Sequence, residues 1–401
     1  MRIAMFSDNF YPEMSGISDS IIESARELAK LGHQVDFYAA RYSAKDFATY
    51  KVAFEELDLG ENVKIHRFFA FRYPAPTGQG RMVIPTFLRW LSMKKNWPDI
   101  IHVHHYFGVG IEALAASKFL QVPLVGTNHT PITEFLKYGP MQNKFIDKTF
   151  LNYVSWFYNR CEFVSAPCGA IFTEMKANNF KKPSEVIPNP VDLQNFYPAS
   201  AEEKAAIKKE FGLSDFTVLY TGRLAVEKHI DVLIRAVAAA KGKIPDINFA
   251  ITGHGAAEKE LKALAEELGI TDRVKFFGTL PAQEHARIYR AADVFAIAST
   301  AEMQSLSLMK AMATGLPSIG VNAWALPEYI NDKNGFILEP CDHQGIAEKI
   351  IYLFENPEQA KKLGANALDM IQDFAPEKIA RKWEVIYKEV SLNNQAANNH
   401  K

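Results

Sequence analysis

Residues 217–228 read TVLYTGRLAVEK, an apolar run that ends in Gly222-Arg223 and is followed shortly by a second cation, Lys228. The run is short and β-branched enough for a buried strand, and HIDVLIRAVAAA after it has the apolar spacing of a helix. A strand that opens into a loop and then a helix puts its carboxyl end where open α/β sheets bind ligands, and the helix N-terminus favours an anion. Arg presents a planar fork of donors and Lys a compact charge, a combination suited to a diphosphate. A solvated pair of cations at a helix start reads the same locally, and the segment alone does not separate the two.

The same alternation runs outward in both directions. Downstream come the strands INFAITG, VKFFGT, DVFAIA, LPSIGV and GFILEP, separated by helical segments such as AEKELKALAEELG and PAQEHARIYRAA. Upstream, RIAMFS, SDSIIESARELAKLG and HQVDFYAA form one βαβ unit, followed by KIHRFF, DIIHVHH, GIEALAASKFLQ, PLVGTN, EFVSAP, AIFTEMKANN and EVIPNPVD. The fold class expected is therefore α/β, with two doubly wound Rossmann-like domains facing a central cleft. Pro188 and Pro190 break regular structure, so the expected domains are 1–192 and 193–375. The helix PEKIARKWEVIYKEV, about 376–390, carries Ile379, Trp383, Ile386 and Tyr387 at helical spacing and needs a surface to pack on. Residues 391–401, SLNNQAANNHK, read as a disordered tail.

Composition narrows the function classes. The 401 residues are 48% hydrophobic, more than one ordinary core needs, and the net charge of −1 gives no reason to expect nucleic acid as a partner. Three cysteines, Cys161, Cys168 and Cys341, lack metal-like spacing and point to a reducing compartment. Cys168 reads as a small buried thiol rather than a nucleophile. Asp8 and Pro12 interrupt the first apolar run too early for a signal peptide, and no uninterrupted apolar run reaches membrane-spanning length. The location expected is cytoplasmic, with peripheral contact to the inner face of an anionic membrane in view. Two stretches motivate that contact: Arg67 to Trp97, with Phe68, Phe69, Phe71, Tyr73, Phe87 and Trp90 among Arg and Lys, and Phe135 to Arg160, with Lys137, Tyr138, Lys144, Phe145 and Trp156. Ordinary core with a charged outer face has the same composition.

The second half holds the chemistry-bearing constellation. Gly253 and Gly255 in ITGHGAAEKEL make a turn where a ligand can approach the backbone. In ASTAEMQSLSLMKAMATGLPSIG a strand ends, Glu302 follows in a loop, and a helix starts near Ser305. A carboxylate there accepts hydrogen bonds from sugar hydroxyls while the helix amides receive a phosphate. With these motifs the chain resembles the family-four retaining glycosyltransferases of the GT-B fold, through YPEMSG, DIIHVHH, TNHT, VIPNPVD, TGRLAVEK, ITGHG, FFGTL, AADVFAIAST, AEMQSLSLMKAMATGLP, PEYI and NGFILEP in order. The resemblance implies that Gly16 lets the first loop approach the donor phosphates and that His129 sits beside the transferred sugar. It implies that Arg223 and Lys228 hold the diphosphate and Glu302 reads sugar hydroxyls. Amides around Ser305 and Leu306 complete the phosphate site, and Thr279 and Leu280 lie near the base. Asp8 is open between facing the acceptor and capping a helix or loop. His104 and His105 are left outside the site.

Two departures stand out. The family's second glutamate, eight positions after the first, is here Lys310, which cannot accept ribose hydroxyl hydrogen bonds. The glycine pair before the Pro-Glu motif is replaced by Asn322-Ala323-Trp324-Ala325. The resemblance implies an enzyme, a metal-independent retaining hexosyltransferase moving a hexose from a nucleoside-diphosphate sugar, UDP favoured, with no cofactor beyond that donor. YPEMSG, TNHTPITEFLKYGP and the aromatic-basic stretches look most like enzymes of glycolipid biosynthesis that glycosylate diacylglycerol. The alternatives are a transferase of polysaccharide or lipopolysaccharide assembly and, because of Lys310, a catalytically impaired nucleotide-sugar-binding protein. No Asp-x-Asp pair of the metal-bridging kind occurs, and no lysine signature for the pyridoxal of a phosphorylase is present.

Overall fold

A computed structural model describes residues 1–13, 15–49, 52–72, 81–137 and 143–399. Met14 of YPEMSG, Tyr73, Tyr138 and the last two residues lie outside the described residues, as do the side chains of Phe135, Lys137 and Lys144. The chain forms two compact units, Met1–Pro190 with Pro376–Lys401, and Val191–Ala375. The division falls two residues before the boundary read from the prolines.

The first unit holds β1 (Arg2–Ser7), β2 (Gln34–Ala40), β3 (Val63–Phe68), β4 (Ala70–Arg72), β5 (Arg81–Val83), β6 (Ile100–Val103), β7 (Leu124–Thr127), β8 (Phe163–Ala166) and β9 (Ser184–Val186). Seven of these form a sheet in the order β3-β2-β1-β6-β7-β8-β9, with parallel pairing throughout. β1 is apolar on both faces because helices cover both: Ile3, Ala4, Met5 and Phe6 are all buried. β4 and β5 form a separate antiparallel ribbon whose three-residue strands are too short to show a period in the sequence.

The Gly16–Lys30 helix opens with a capping box, Ser15 and Ser18 each bonding the other's backbone N–H. It buries Ile21, Ala25 and Leu28 in a core with Ile3, Met5, Val35 and Phe37 of the sheet. Ile379, Ala380, Trp383, Ile386 and Tyr387 of the last helix, Pro376–Asn399, enter that same core. The helix does not end near 390. It runs on to Asn399, so the disordered tail expected over 391–401 is corrected for its described part. Side chains too polar to predict order are here tied to loops of the sheet: Ser391 Oγ donates to the Asp99 carbonyl at 3.0 Å and Asn394 Nδ2 to that of Gln121 at 3.2 Å.

The second unit carries β10 (Thr217–Thr221), β11 (Asn248–Thr252), β12 (Val274–Gly278), β13 (Val294–Ala296), β14 (Ser318–Val321) and β15 (Gly335–Leu338). They form one parallel sheet in the order β12-β11-β10-β13-β14-β15. In both sheets the first strand of the unit lies in the interior, third from one edge, and the order reverses beside it, between β1 and β6 and between β10 and β13. Loops leaving these two points diverge, which opens a crevice at the carboxyl ends of the strands.

Candidate active site

At the reversal in the second sheet, the loop after β10 carries Arg223 and Lys228, and the loop after β13 carries Ser299 and Glu302. The two loops are bonded together: the Glu227 carbonyl accepts from Thr300 N and from Ser299 Oγ, each at 3.4 Å. Lys228 Nζ donates to Glu302 Oε1 at 2.6 Å, with both side chains largely buried. Arg223 Nη2 donates to Glu227 Oε1 at 2.6 Å while remaining about half exposed, at 48%. Neither cation is a bare solvated charge. Each is held by a carboxylate on the ligand edge of the sheet, and Glu227 is a partner the sequence reading missed. No helical spacing announces it, because residues 223–225 are loop and only Val226–Lys228 form a short 3-10 turn.

Backbone contacts shape the rest of this edge. Gly253, with φ of 113°, follows β11, and a Cβ there would collide with the Gly222 carbonyl. Leu224 N and Ala257 N bond across to the His254 and Leu224 carbonyls at 3.1 and 3.0 Å. The glycine expected to admit a ligand is thus first required for one loop to lie on another. Thr279 is exposed after β12 and its Oγ1 bonds His254 Nδ1 at 2.7 Å, with Leu280 half-buried beside it. His254, unforeseen as a site residue, lies between the two glycines of ITGHG. Ser305 caps the Leu306–Ala313 helix, its Oγ accepting from Leu308 N at 3.4 Å. Lys310 lies in that helix, half-buried, with Nζ 5.1 Å from the centre of the Phe196 ring. Its charge adds to burial in holding His285 down to about 4.

At the reversal in the first sheet, Asp8 follows β1, His104 and His105 follow β6, and His129 follows β7. Asp8 is buried, accepts from the backbone of Val83 and Val109 at 3.3 Å, and burial pushes its carboxyl up to about 7. A Cβ on Gly108, where φ is 47°, would strike that carboxylate. Of the two roles left open for Asp8, the structure therefore shows capping, at the start of the Val109–Leu120 helix. Glu13 is likewise raised to about 7 by burial and accepts from Tyr42 OH at 3.0 Å. Gly16 is exposed in the first turn of its helix.

His129 is buried and its Nε2 lies 3.1 Å from His104 Nδ1. His102 bonds Tyr387 OH at 2.6 Å and Thr127 Oγ1 at 2.7 Å, and its ring lies 4.1 Å from that of His104. Burial lowers all of these imidazoles, His102 and His129 to about 3 and His105 to about 4. The strand-closing HVHH thus belongs with His129, which sequence reading set apart.

The aromatic-basic stretches divide between core and surface. Phe157 and Tyr158 are fully buried, whereas Phe69, Phe71, Phe87, Leu88, Trp97, Phe145 and Trp156 are exposed. Cations lie over several rings, Arg160 3.7 Å from Trp156 and Lys94 4.8 Å from Trp90. Cys161 and Cys168 are buried. Among the described residues no helix is long and apolar enough to cross a membrane, and no group of three or more His, Cys, Asp or Glu is arranged to hold a metal.

Residues 14–195 match the profile described as Glycosyltransferase Family 4, and residues 202–370 match that described as Glycosyl transferases group 1. An alpha-monoglucosyldiacylglycerol synthase of Acholeplasma laidlawii is 26% identical over 410 residues, covering 99% of this chain and 100% of its own. Its namesake from Streptococcus pneumoniae is 28% identical over 344 residues, covering 83% and 74%. Among solved structures, Anabaena HepE in complex with UDP superposes with a TM-score of 0.77 at 20% identity, covering 97% of this chain and 100% of that one. Two doubly wound parallel sheets, each with polar, chemistry-bearing loops at its reversal, and family profiles that match each half, lead to one conclusion: the chain belongs to the family-four glycosyltransferases of the GT-B fold.

Proposed function

We propose that this protein is a retaining hexosyltransferase that moves a hexose from a nucleoside-diphosphate sugar, UDP favoured, to the hydroxyl of a membrane lipid such as diacylglycerol. The observation that carries the donor half is the Lys228–Glu302 pair at the reversal point of the second sheet, with Arg223 beside it. A diphosphate entering there competes with Glu227 and Glu302 for the two cations. Charge grows on the leaving diphosphate as the glycosidic bond breaks, and Arg223, Lys228 and the amides at Ser305 and Leu306 are preorganised donors for it. Glu302, released from Lys228, accepts hydroxyl hydrogen bonds of the sugar. His129 acts beside the transferred sugar, and Gly16 leaves the first loop free of a side chain near the phosphates.

Retention follows from front-face attack assisted by the departing phosphate, and two fixed cations do the work that a divalent metal does elsewhere. The lipid acceptor is supported by the two relatives named as glucosyldiacylglycerol synthases and by exposed aromatics with flanking cations, which suit the boundary of an anionic membrane. We place the protein in the cytoplasm, peripheral on the membrane's inner face. Incubation with radiolabelled UDP-, GDP- and ADP-hexoses, with and without diacylglycerol vesicles, tests this reading. Label should pass into the lipid phase from a UDP-hexose and persist in EDTA. Label that enters only water-soluble glycans, or transfer abolished by chelator and restored by Mg²⁺, would contradict it.

A further inference from the structure

His104 and His129 are 5% and 9% exposed, and the 3.1 Å between His104 Nδ1 and His129 Nε2 is a hydrogen bond between two rings. Burial holds both well below the ordinary range, so both are neutral at physiological pH. Two neutral imidazoles share one proton across such a gap: one ring donates N–H and the other accepts with its lone pair. The other nitrogen of His104 decides which. His104 Nε2 is buried and has no hydrogen-bond partner among the described residues. A proton on that nitrogen would be an orphaned buried donor, whereas a bare lone pair is the more readily tolerated orphan. The His104 proton therefore sits on Nδ1 and points at His129, whose own proton is forced onto its Nδ1.

We infer that His104 is a positioning residue that locks His129 in the Nδ1–H tautomer, so that His129 meets the substrate as a neutral hydrogen-bond donor to an oxygen and not as a proton shuttle. The neighbouring groups reinforce the arrangement. His102 is engaged on both nitrogens by Tyr387 and Thr127, and His105 Nδ1 is paired with Ser7 Oγ at 3.2 Å, so neither ring's bonded nitrogen is left to compete for the shared proton. A histidine whose protonated nitrogen is set by the partner of the other nitrogen is a recurring device where orientation matters.

The catalytic part of this inference rests on the reading that His129 touches the donor sugar; the tautomer does not. Long-range ¹H–¹⁵N spectra of the full-length protein, with His129 assigned from a His129→Gln spectrum, should show its proton on Nδ1. A proton on Nε2 of His129 overturns the inference whatever the activity. His104→Phe should lower kcat about tenfold or more while the KM for UDP-glucose moves less than about twofold, the pattern of a lost orienting group. His104→Asn, which retains a donor near the same place, should recover most of the loss. Unchanged kcat in His104→Phe overturns the positioning role, and if that variant does not fold, the wild-type spectrum and His104→Asn still decide. Unchanged kcat in His129→Ala with the Nδ1 proton in place would instead remove the reading that His129 serves the reaction.

Discussion

At the scale of single residues, the two cations of the proposed donor site are each held in an opposed pair, Arg223 with Glu227 and Lys228 with Glu302. Arg223→Ala and Lys228→Ala should each lower turnover roughly a hundredfold, because one charge-assisted donor to a developing anion is worth ~3 kcal/mol. Steady-state kinetics check this, and full activity in both variants would remove the diphosphate assignment. Lys228→Ala also strands the Glu302 carboxylate, so its effect should exceed that of the half-exposed Arg223. By the resemblance, Lys310 stands at the position of a ribose-binding glutamate; its Nζ lies 5.1 Å from the centre of the Phe196 ring. Lys310→Glu should weaken UDP binding in a calorimetric titration, since it deletes the cation–π contact and places a negative charge in the helix whose first amides are proposed to receive the phosphate. Tighter binding would mean that a carboxylate at 310 restores a ribose contact.

At the scale of elements, Asp8 joins β1, the β4–β5 ribbon and the Val109–Leu120 helix through one buried carboxyl. Its folded value, near 7, lies above the ordinary carboxylate range, so between about pH 4 and 7 the folded state binds a proton that the unfolded chain has lost. Asp8 thus subtracts stability as pH rises through that window, and Glu13 does the same. The buried imidazoles have the opposite sign: lowered to about 3 or 4, His102, His105 and His129 add stability as pH rises toward about 6.5. Asp8→Asn removes one opposing contribution, so thermal midpoints measured from pH 4 to 7 should climb more steeply in the variant than in the wild type. An equal or shallower slope would show that Asp8 is ionised throughout. These elements also mark what was legible in the sequence. β1, β10 and their neighbours are buried on both faces and read as continuous apolar runs, so the two sheets and the positions of Arg223, Glu302 and His129 at strand ends followed directly. The tie between His104 and His129 did not, because it depends on two strands 25 residues apart lying side by side in register. The last turns of the final helix escaped for a similar reason, their order coming from carbonyls at residues 99 and 121.

At the scale of the whole molecule, a lipid acceptor requires the protein to work at a bilayer surface, and among the described residues no helix is long and apolar enough to cross one. The exposed rings between Phe69 and Trp97 and at Phe145 and Trp156 are accompanied by Arg and Lys, so liposome binding should rise with anionic lipid and weaken with salt. Absence of sedimentation with anionic vesicles at low salt would leave the aromatics as surface packing and favour a soluble acceptor. The central claim, transfer with retention driven by a preorganised diphosphate site, is tested most directly by the anomeric configuration of the product. Proton NMR of the glycoside formed from UDP-α-glucose and diacylglycerol should show the small anomeric coupling of an α-glucoside. A large, diaxial coupling would identify a β-glucoside and contradict the account.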